Sequence, residues 1–193
     1  MTKTLSRMPE LGTKAHPFSL PDVVSGDIIK TEDLNIQKGF LVIFLSRHCP
    51  YVKHVIKGIA DLGADYKNAG IDIIAISSND IDKYPDDAPH KLKEMAQEYK
   101  FNFPVCFDES QKTAKAYGAA CTPDFFLYNK NSELVYRGQL DDSRPGTEIP
   151  VTGKDLRDAI DKLLKNEEIS PIQKPSIGCN IKWKQGNEPE YFL

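Results

Sequence analysis

Apolar residues alternate between short continuous runs and helical stripes along most of the chain. Residues 40–45 (FLVIFL) and 71–77 (IDIIAIS) are apolar runs of the length that buried strands have. Between these runs, apolar residues recur at i, i+3, i+4 and i+7, which predicts a helix that ends near residues 68–70. The apolar positions of this helix are Val52, Val55, Ile56, Ile59, Leu62 and Tyr66.

The following residues continue the same alternation. A second helical stripe consists of Leu92, Met95, Ala96 and Tyr99, and a short strand is predicted over 103–107. A short helix ends at Gly118, and two β-type runs around residues 129–132 predict a hairpin. A last helix is expected from Thr152 to Leu164. The order predicts an α/β fold in which helices flank a central mixed β-sheet that ends in an antiparallel pair.

Two segments have a different pattern. Residues 79–89 (NDIDKYPDDAP) are polar and contain two prolines, so they are predicted to form a solvated surface loop. Residues 166–193 contain three prolines and a period-2 stretch that predicts one short strand, over Ile177, Cys179, Ile181 and Trp183. We therefore expect one domain over residues 1–165 and a C-terminal tail, residues 166–193, that packs on it.

Composition and charge exclude several classes of function. The net charge is -3 and the basic residues are dispersed, so no nucleic-acid-binding surface is predicted. The longest apolar runs are too short to span a bilayer, and the first twenty residues lack the apolar core of a secretory signal. A cytoplasmic location is therefore expected. In that reducing compartment the four cysteines are more plausible as catalytic or redox-sensing thiols than as structural disulfides.

Cys49 lies at the junction between the first long strand and the first long helix. Functional residues of α/β sheets collect at such strand ends. Pro50 is favoured at the first helical position, which places Cys49 at the cap, facing free backbone N–H groups. The helix dipole and the neighbouring basic residues Arg47, His48, Lys53 and His54 favour a thiolate there. The position predicts nucleophilic sulfur chemistry, although a buried cysteine can also be a small core residue.

The motif Cys-Pro-Tyr-Val between a strand and a helix resembles the Cys-x-x-Cys junction of the thioredoxin fold. The segment GAACTPDFFLY (118–128) is similar to the part of that fold in which a cis-proline precedes a strand. This resemblance implies that Pro123, preceded by Thr122, is a cis-proline that faces Cys49. The motifs SRHCPYVKH, SSND, CTPDFF, YRGQLDDSRP and KPSIGCNIKW together resemble a bacterial, peroxiredoxin-like subgroup of the alkyl-hydroperoxide-reductase/thiol-specific-antioxidant branch of the thioredoxin superfamily, with an N-terminal extension before the fold.

The chain departs from both motifs of these relatives at one position. Val52 stands where a thioredoxin has its second cysteine and a peroxiredoxin its peroxidatic cysteine, and Cys49 occupies the peroxiredoxin threonine position. An oxidised Cys49 then needs another resolving thiol. Cys121 is the first candidate because it precedes Pro123 by two residues, and Cys179 is the second. Cys106, inside an apolar strand, is expected to be structural.

Other candidate residues follow from the same resemblance. His48, Thr122 and Pro123 are expected to contact the substrate. Arg137 would orient a peroxide or stabilise a thiolate; alternatively it pairs with Asp141 or Asp142. We expect no metal site, since His48, Cys49 and His54 lack a supporting ligand spacing and the aspartates of 79–89 lack an EF-hand pattern.

Two classes of function remain open after these observations. The first is an enzyme, an antioxidant thiol oxidoreductase in which the Cys49 thiolate attacks a peroxide or a disulfide and an external thiol such as a thioredoxin restores it. The second is a non-catalytic redox sensor or peptide-binding module that uses the groove at Pro123. No cofactor is expected for either class, and the sequence leaves the oligomeric state open.

Overall fold

The computed structural model describes residues 3–192 of the chain. Its centre is a five-stranded mixed sheet. The strands are β4 (Gly39–Phe44), β5 (Ile71–Ser77), β6 (Val105–Phe107), β8 (Asp124–Asn129) and β9 (Leu134–Gly138), in the order β6-β5-β4-β8-β9. The three strands β4, β5 and β6 run parallel, while β8 pairs antiparallel with β4 and β9 pairs antiparallel with β8. The predicted central mixed sheet is confirmed.

Four α-helices flank the sheet. They are α1 (Pro50–Tyr66), α2 (Pro89–Glu98), α3 (Lys112–Tyr117) and α4 (Lys154–Lys165). The predicted apolar stripe of α1 is buried, and it packs with α4 against one face of the sheet. The opposite face packs against α3 and the N-terminal extension. Both faces of the central strands are therefore buried, which explains why β4 is a continuous apolar run rather than an alternating one.

Two smaller sheets contain strands that the periodicity did not reveal. The hairpin of β2 (Ser19–Pro21) and β3 (Ile28–Lys30) belongs to the N-terminal extension. A three-stranded antiparallel sheet has the order β1-β10-β7, with β1 (Lys3–Leu5), β7 (Cys121–Thr122) and β10 (Ile177–Asn180). This small sheet joins the first described residues, the residues before Pro123 and the tail.

The tail is held along much of its length. The Ser176 carbonyl accepts a hydrogen bond from the Ser6 N–H, and the Ile181 N–H donates to the Ala120 carbonyl. Beyond β10, Ile181 and Trp183 are buried in the core on the α3 side of the sheet. The predicted strand over 177–183 is thus shorter than expected, and its last residues contribute to the core instead.

Candidate functional site

The fold places Cys49 at the N-cap of α1, directly after the central strand β4. Cys49 has an extended backbone (φ −70°, ψ 121°), and Pro50 occupies the first helical turn. This is the cap geometry predicted from the sequence, and it directs the cysteine toward the free N–H groups of the helix. The Cys49 side chain is 0% exposed. The thiol therefore interacts with protein groups rather than with water.

The first of these groups belongs to the residue before Pro123. The Thr122–Pro123 peptide bond is cis, as the resemblance implied. The Cys49 thiol donates a hydrogen bond to the Thr122 carbonyl oxygen at 3.1 Å. The Thr122 hydroxyl is also buried. The predicted apposition of Cys49, Thr122 and Pro123 is thus present in the structure.

The second group is the thiol of Cys179, which the tail brings to the site. In the antiparallel pair of β10 and β7, Cys179 lies directly opposite Thr122. Residues opposite each other in such a pair direct their side chains to the same face, so Cys179 faces Cys49 as Thr122 does. Cys179 and Cys49 lie in the same buried cluster, and each thiol shifts the pKa of the other. Cys179 is 2% exposed, so the pair of thiols is enclosed.

These contacts lower the pKa of Cys49 to about 6. The hydrogen bond from the Cys179 thiol to the Cys49 thiolate is the largest cause. Burial opposes it, while the Thr122 side chain and the backbone N–H groups of Val52 and Cys179 act in the same direction as the Cys179 thiol. Val52 belongs to the first turn of α1, so its contribution is the expected helix N-terminus effect. With this pKa, Cys49 is mostly thiolate at neutral pH.

The same hydrogen bond has the opposite effect on its donor. It raises the pKa of Cys179 well above the ordinary range of a thiol, and burial adds to this increase. The two sulfurs therefore share one proton, which stays on Cys179 while Cys49 is ionised. One thiol is prepared as the nucleophile and its neighbour as the proton-bearing partner.

Cys121, the first candidate for a resolving thiol, faces another environment. It lies opposite Asn180 in the β10–β7 pair, on the face that alternates with the Thr122–Cys179 face. Its thiol is buried and contacts the Pro123 carbonyl oxygen at 3.7 Å. Burial raises the pKa of Cys121 well above its ordinary value, and the charges of Asp124 and Cys49 raise it further. The structure brings Cys179, rather than Cys121, into contact with Cys49.

His48 is oriented by a buried carboxylate. Its Nδ1 lies 2.6 Å from Oδ2 of Asp87, which is 0% exposed, and its ring stacks on Tyr84. Within residues 3–192, the buried His48 Nε2 has no hydrogen-bond partner. Because an ionised carboxylate only accepts hydrogen bonds, Nδ1 carries a proton toward Asp87.

Asp87 organises the chain just before Cys49. It accepts hydrogen bonds from the Arg47 N–H at 2.6 Å, from the Asn79 side chain at 2.7 Å and from the Ser46 hydroxyl at 3.0 Å. Burial raises the pKa of the Asp87 carboxyl, but the hydrogen bonds from His48 and Asn79 outweigh it, so the net shift is downward. The carboxylate form is therefore stabilised at neutral pH.

The prediction that residues 79–89 form a solvated surface loop is therefore wrong for three of its polar residues, which are buried. Asn79, Asp80 and Asp87 are buried, and the Asn79 side-chain oxygen accepts the N–H of Lys182 in the tail at 2.7 Å. The segment connects the tail to the residues before Cys49. Asp87 was missed because an aspartate in a polar, Pro-containing segment has the same local pattern whether it faces water or the protein interior.

Arg137 lies outside the Cys49 group. Its guanidinium donates to the Pro9 carbonyl oxygen at 2.7 Å and to Oε1 of Gln173 at 2.7 Å. Within residues 3–192 it forms no ion pair with Asp141 or Asp142, and it joins β9 to the N-terminal extension and to the tail.

The remaining cysteine, Cys106, is part of the hydrophobic core. Cys106 lies in β6, buried in the core, and burial raises the pKa of its thiol to about 12. None of the four cysteines is in a disulfide bond. Across residues 3–192, no three His, Cys, Asp or Glu side chains are grouped so as to hold a metal ion. None of the helices described is long and apolar enough to cross a membrane.

A cis-proline that faces a cysteine at a strand–helix junction on a mixed sheet defines the class: the chain is a thioredoxin-fold thiol oxidoreductase. Residues 11–137 match the model of the AhpC/TSA family. The chain therefore belongs to the AhpC/TSA family.

Three similar proteins illustrate its relatives. A solved structure of an uncharacterized conserved protein from Geobacillus kaustophilus is 46% identical, covers 95% of this chain and 97% of its own, and superimposes with a TM-score of 0.93. A hypothetical protein from Sinorhizobium meliloti 1021 is 44% identical, with 95% and 100% covered and a TM-score of 0.92. The thiol-disulfide oxidoreductase ResA of Bacillus thuringiensis (strain Al Hakam) is 28% identical over 126 residues, 65% of this chain and 68% of its own.

Proposed function

We propose that the chain is a two-cysteine thiol–disulfide oxidoreductase that cycles between a Cys49/Cys179 dithiol and a Cys49–Cys179 disulfide. The observation that carries this proposal is the position of Cys179, opposite Thr122 and in one buried cluster with Cys49, where it lowers the pKa of Cys49 to about 6. Dithiol enzymes need a low-pKa nucleophile and a second thiol within bonding reach. Cys179 supplies the thiol that Val52 cannot supply.

With a disulfide substrate, the reaction has two exchange steps. The Cys49 thiolate attacks one substrate sulfur, forms a mixed disulfide and releases the other sulfur as a thiolate. Cys179 then loses its proton and attacks the Cys49 sulfur, which releases the second substrate thiolate. The substrate gains two electrons and two protons, and the enzyme becomes the disulfide. The name of the ResA relatives supports this reaction.

With a hydroperoxide as the substrate, the first step differs, but the same two thiols take part. The Cys49 thiolate attacks the terminal peroxide oxygen and becomes a sulfenic acid as the O–O bond breaks. The released alkoxide takes up a proton and leaves as the alcohol. With hydrogen peroxide, the released hydroxide leaves as water. Cys179 condenses with the sulfenic acid and releases water. The full burial of Cys49 favours this second candidate, because a hydroperoxide can be nearly as small as water.

In either case an external thiol small enough to reach the enclosed sulfurs returns the disulfide to the resting state by exchange. No cofactor takes part in these steps. A cytoplasmic location is part of the proposal, because a reducing compartment keeps the cysteines out of disulfide bonds, as the resting state needs. An antioxidant role follows where the oxidant is a peroxide. His48, whose ring Asp87 orients, is the group proposed to exchange protons beside Cys49.

Counting thiols tests this proposal. The reduced protein is treated with a small excess of hydroxyethyl disulfide or hydrogen peroxide, and the remaining thiols are counted after removal of the oxidant. We expect the wild type and Cys121→Ser to lose two thiols per chain, and Cys179→Ser to lose one. A loss of only one thiol in the wild type would contradict a two-cysteine cycle and favour a redox sensor that depends on an external partner.

A further inference from the structure

The tail strand β10 occupies the sheet edge next to the reactive cysteine. The backbone of β7, which includes Cys121 and Thr122, pairs with β10 through the partners Asn180 and Cys179. The other edge of β10 pairs with β1, so β10 lies between two strands. A polypeptide that entered beside Pro123 as an added strand would need these same backbone groups of β7. They are already hydrogen-bonded within the chain.

Gly178 shows how closely the tail fits this edge. A Cβ atom at this residue would lie 1.9 Å from the Thr122 carbonyl oxygen and 3.3 Å from the Pro123 nitrogen. Only a residue without a side chain permits this approach of the two backbones. The approach also positions the next residue, Cys179, against Cys49.

Anchors on both sides of β10 hold it in this place. Before the strand, the Ser176 hydroxyl donates to the Gly138 carbonyl and the Gln139 N–H donates to the Lys174 carbonyl at 3.0 Å. After it, the Lys182 carbonyl accepts hydrogen bonds from the Asp80 N–H at 2.8 Å and the Gln111 side chain at 2.9 Å. A strand held at both ends and along both edges opens less readily than a loop or a terminus.

From this arrangement we propose that β10 limits the substrates of Cys49 to small molecules with an S–S or O–O bond and excludes disulfides of folded proteins. This inference rests on the proposed function and adds the size class of the substrate. A small oxidant reaches the enclosed thiols through local side-chain motion, whereas a protein disulfide needs β10 to leave β7. The resolving thiol and the element that excludes proteins are thus one strand.

Single-turnover oxidation of the reduced protein tests the inference. Hydroxyethyl disulfide and hydrogen peroxide serve as the small disulfide and the small peroxide, and insulin serves as the protein disulfide. We expect at least one small oxidant to form the enzyme disulfide at least about tenfold faster than insulin, because the larger substrate must wait for strand opening. Comparable rates with insulin would overturn the size limit and leave the proposed function intact. If neither small oxidant reacts, the proposed function itself fails.

A variant of the tail controls for the different intrinsic reactivities of the oxidants, because the ratio of the same two rates is compared between proteins. Gly178→Ala introduces the Cβ that meets Thr122, so the ratio of the insulin rate to the hydroxyethyl disulfide rate should rise by at least about tenfold. Ser176→Ala, which removes an anchor outside the thiol pair, should change this ratio in the same direction to a smaller extent. Ser170→Ala, in an exposed part of the tail, is the matched control and should leave it unchanged.

Circular dichroism first establishes that each variant is folded. If Gly178→Ala does not fold, Ser176→Ala and the wild-type comparison still decide the question. A ratio that stays at the wild-type value in a folded Gly178→Ala protein would contradict the role of β10. Alkylation with N-ethylmaleimide and with a polyethylene-glycol maleimide, each normalised to the unfolded protein, should show the same size dependence in the wild type.

Discussion

The two faces of the β7–β10 pair differ in chemistry although they are one residue apart. On one face, Thr122 and Cys179 contact Cys49, and their hydrogen bonds lower the pKa of that thiol to about 6. On the other face lies Cys121, a buried thiol whose pKa is raised. A cysteine near the cis-proline in sequence is therefore not sufficient for reactivity. Strand alternation decides which cysteine reaches the nucleophile.

The charges on the two faces reinforce this difference. Burial raises the pKa of Asp124 to about 7, and this carboxyl in turn raises the pKa of Cys121. Asp124 is completely buried, and within residues 3–192 its Oδ1 has no hydrogen-bond partner. The charge of Arg144 favours a Cys121 thiolate, but it is the smallest of the effects on this thiol. On the opposite face, the hydrogen-bond donors are directed at the sulfur of Cys49.

The largest expected effect concerns the unreactive face. Asp124 has a pKa of about 7 in the folded chain, above the ordinary aspartate value of about 3.9, so its favourable contribution to stability is present below about pH 4 and is lost as the pH rises to 7. Asp124→Asn removes the titrating carboxyl, so the variant does not lose this stability as the pH rises. The difference in unfolding free energy between the variant and the wild type should grow by up to about 4 kcal/mol from pH 4 to 8.

Urea unfolding at each pH measures this difference. Comparison with the wild type at the same pH cancels the opposite contribution of Cys49, which appears as the pH rises from about 6 to 9. A difference that does not change with pH would mean that Asp124 is not protonated in the folded protein.

The next largest effect is expected for Asp87, which holds the residues just before Cys49. Asp87→Ala leaves the donors of Arg47, Asn79 and Ser46 unpaired in the interior and should destabilise the fold by about 3 kcal/mol. Asp86→Ala is the matched control, because Asp86 is the exposed neighbour and its one ion pair, with Arg47, is long at 3.7 Å. Thermal unfolding of both variants gives the comparison. Equal losses would refute the organising role of Asp87.

A third variant pair compares the two cysteines directly. Cys179→Ala removes the main hydrogen bond to the Cys49 thiolate, so the pKa of Cys49 should rise toward 9. Alkylation of Cys49 at pH 7 should then slow by between about tenfold and about 90-fold, as the thiolate fraction falls. Cys121→Ala should change the pKa by less than about half a unit.

The rate of iodoacetamide labelling of Cys49 against pH, followed by mass spectrometry of its peptide, measures both variants. If Cys121→Ala shifts the profile as much as Cys179→Ala, the assignment of the two faces is wrong.

The smallest effect concerns Thr122. Thr122→Val keeps the shape of the side chain but removes the hydroxyl that helps to stabilise the Cys49 thiolate. The pKa of Cys49 should rise by up to about one unit, less than in Cys179→Ala, because the Cys179 hydrogen bond remains. The same labelling profile records it. A larger shift than that of Cys179→Ala would reverse the order of the two donors.

Local patterns predicted the parts of the site that depend on neighbouring residues. The apolar run of β4, Pro50 and the stripe of α1 were sufficient to place Cys49 at the helix cap, and the resemblance supplied cis-Pro123. Each of these features is set within a few residues of Cys49 or by a short motif. The α/β order was predictable for the same reason.

The contacts between distant segments were not predictable in this way. That Cys179 rather than Cys121 reaches Cys49 depends on the register of β10 against β7, which no local periodicity records. The burial of Asp87 depends on Arg47, His48 and Asn79 around it, so its sequence context looks like that of a solvated loop. In both cases the tertiary partner decides the role of the residue.

The most direct test of the account is a peptide map of the reduced protein after one equivalent of oxidant and trapping of free thiols. We predict a disulfide between the peptides that contain Cys49 and Cys179, with Cys121 and Cys106 recovered as trapped thiols. A Cys49–Cys121 disulfide, or a Cys49 that is oxidised while Cys179 remains a free thiol, would contradict the central claim that the tail supplies the partner of Cys49.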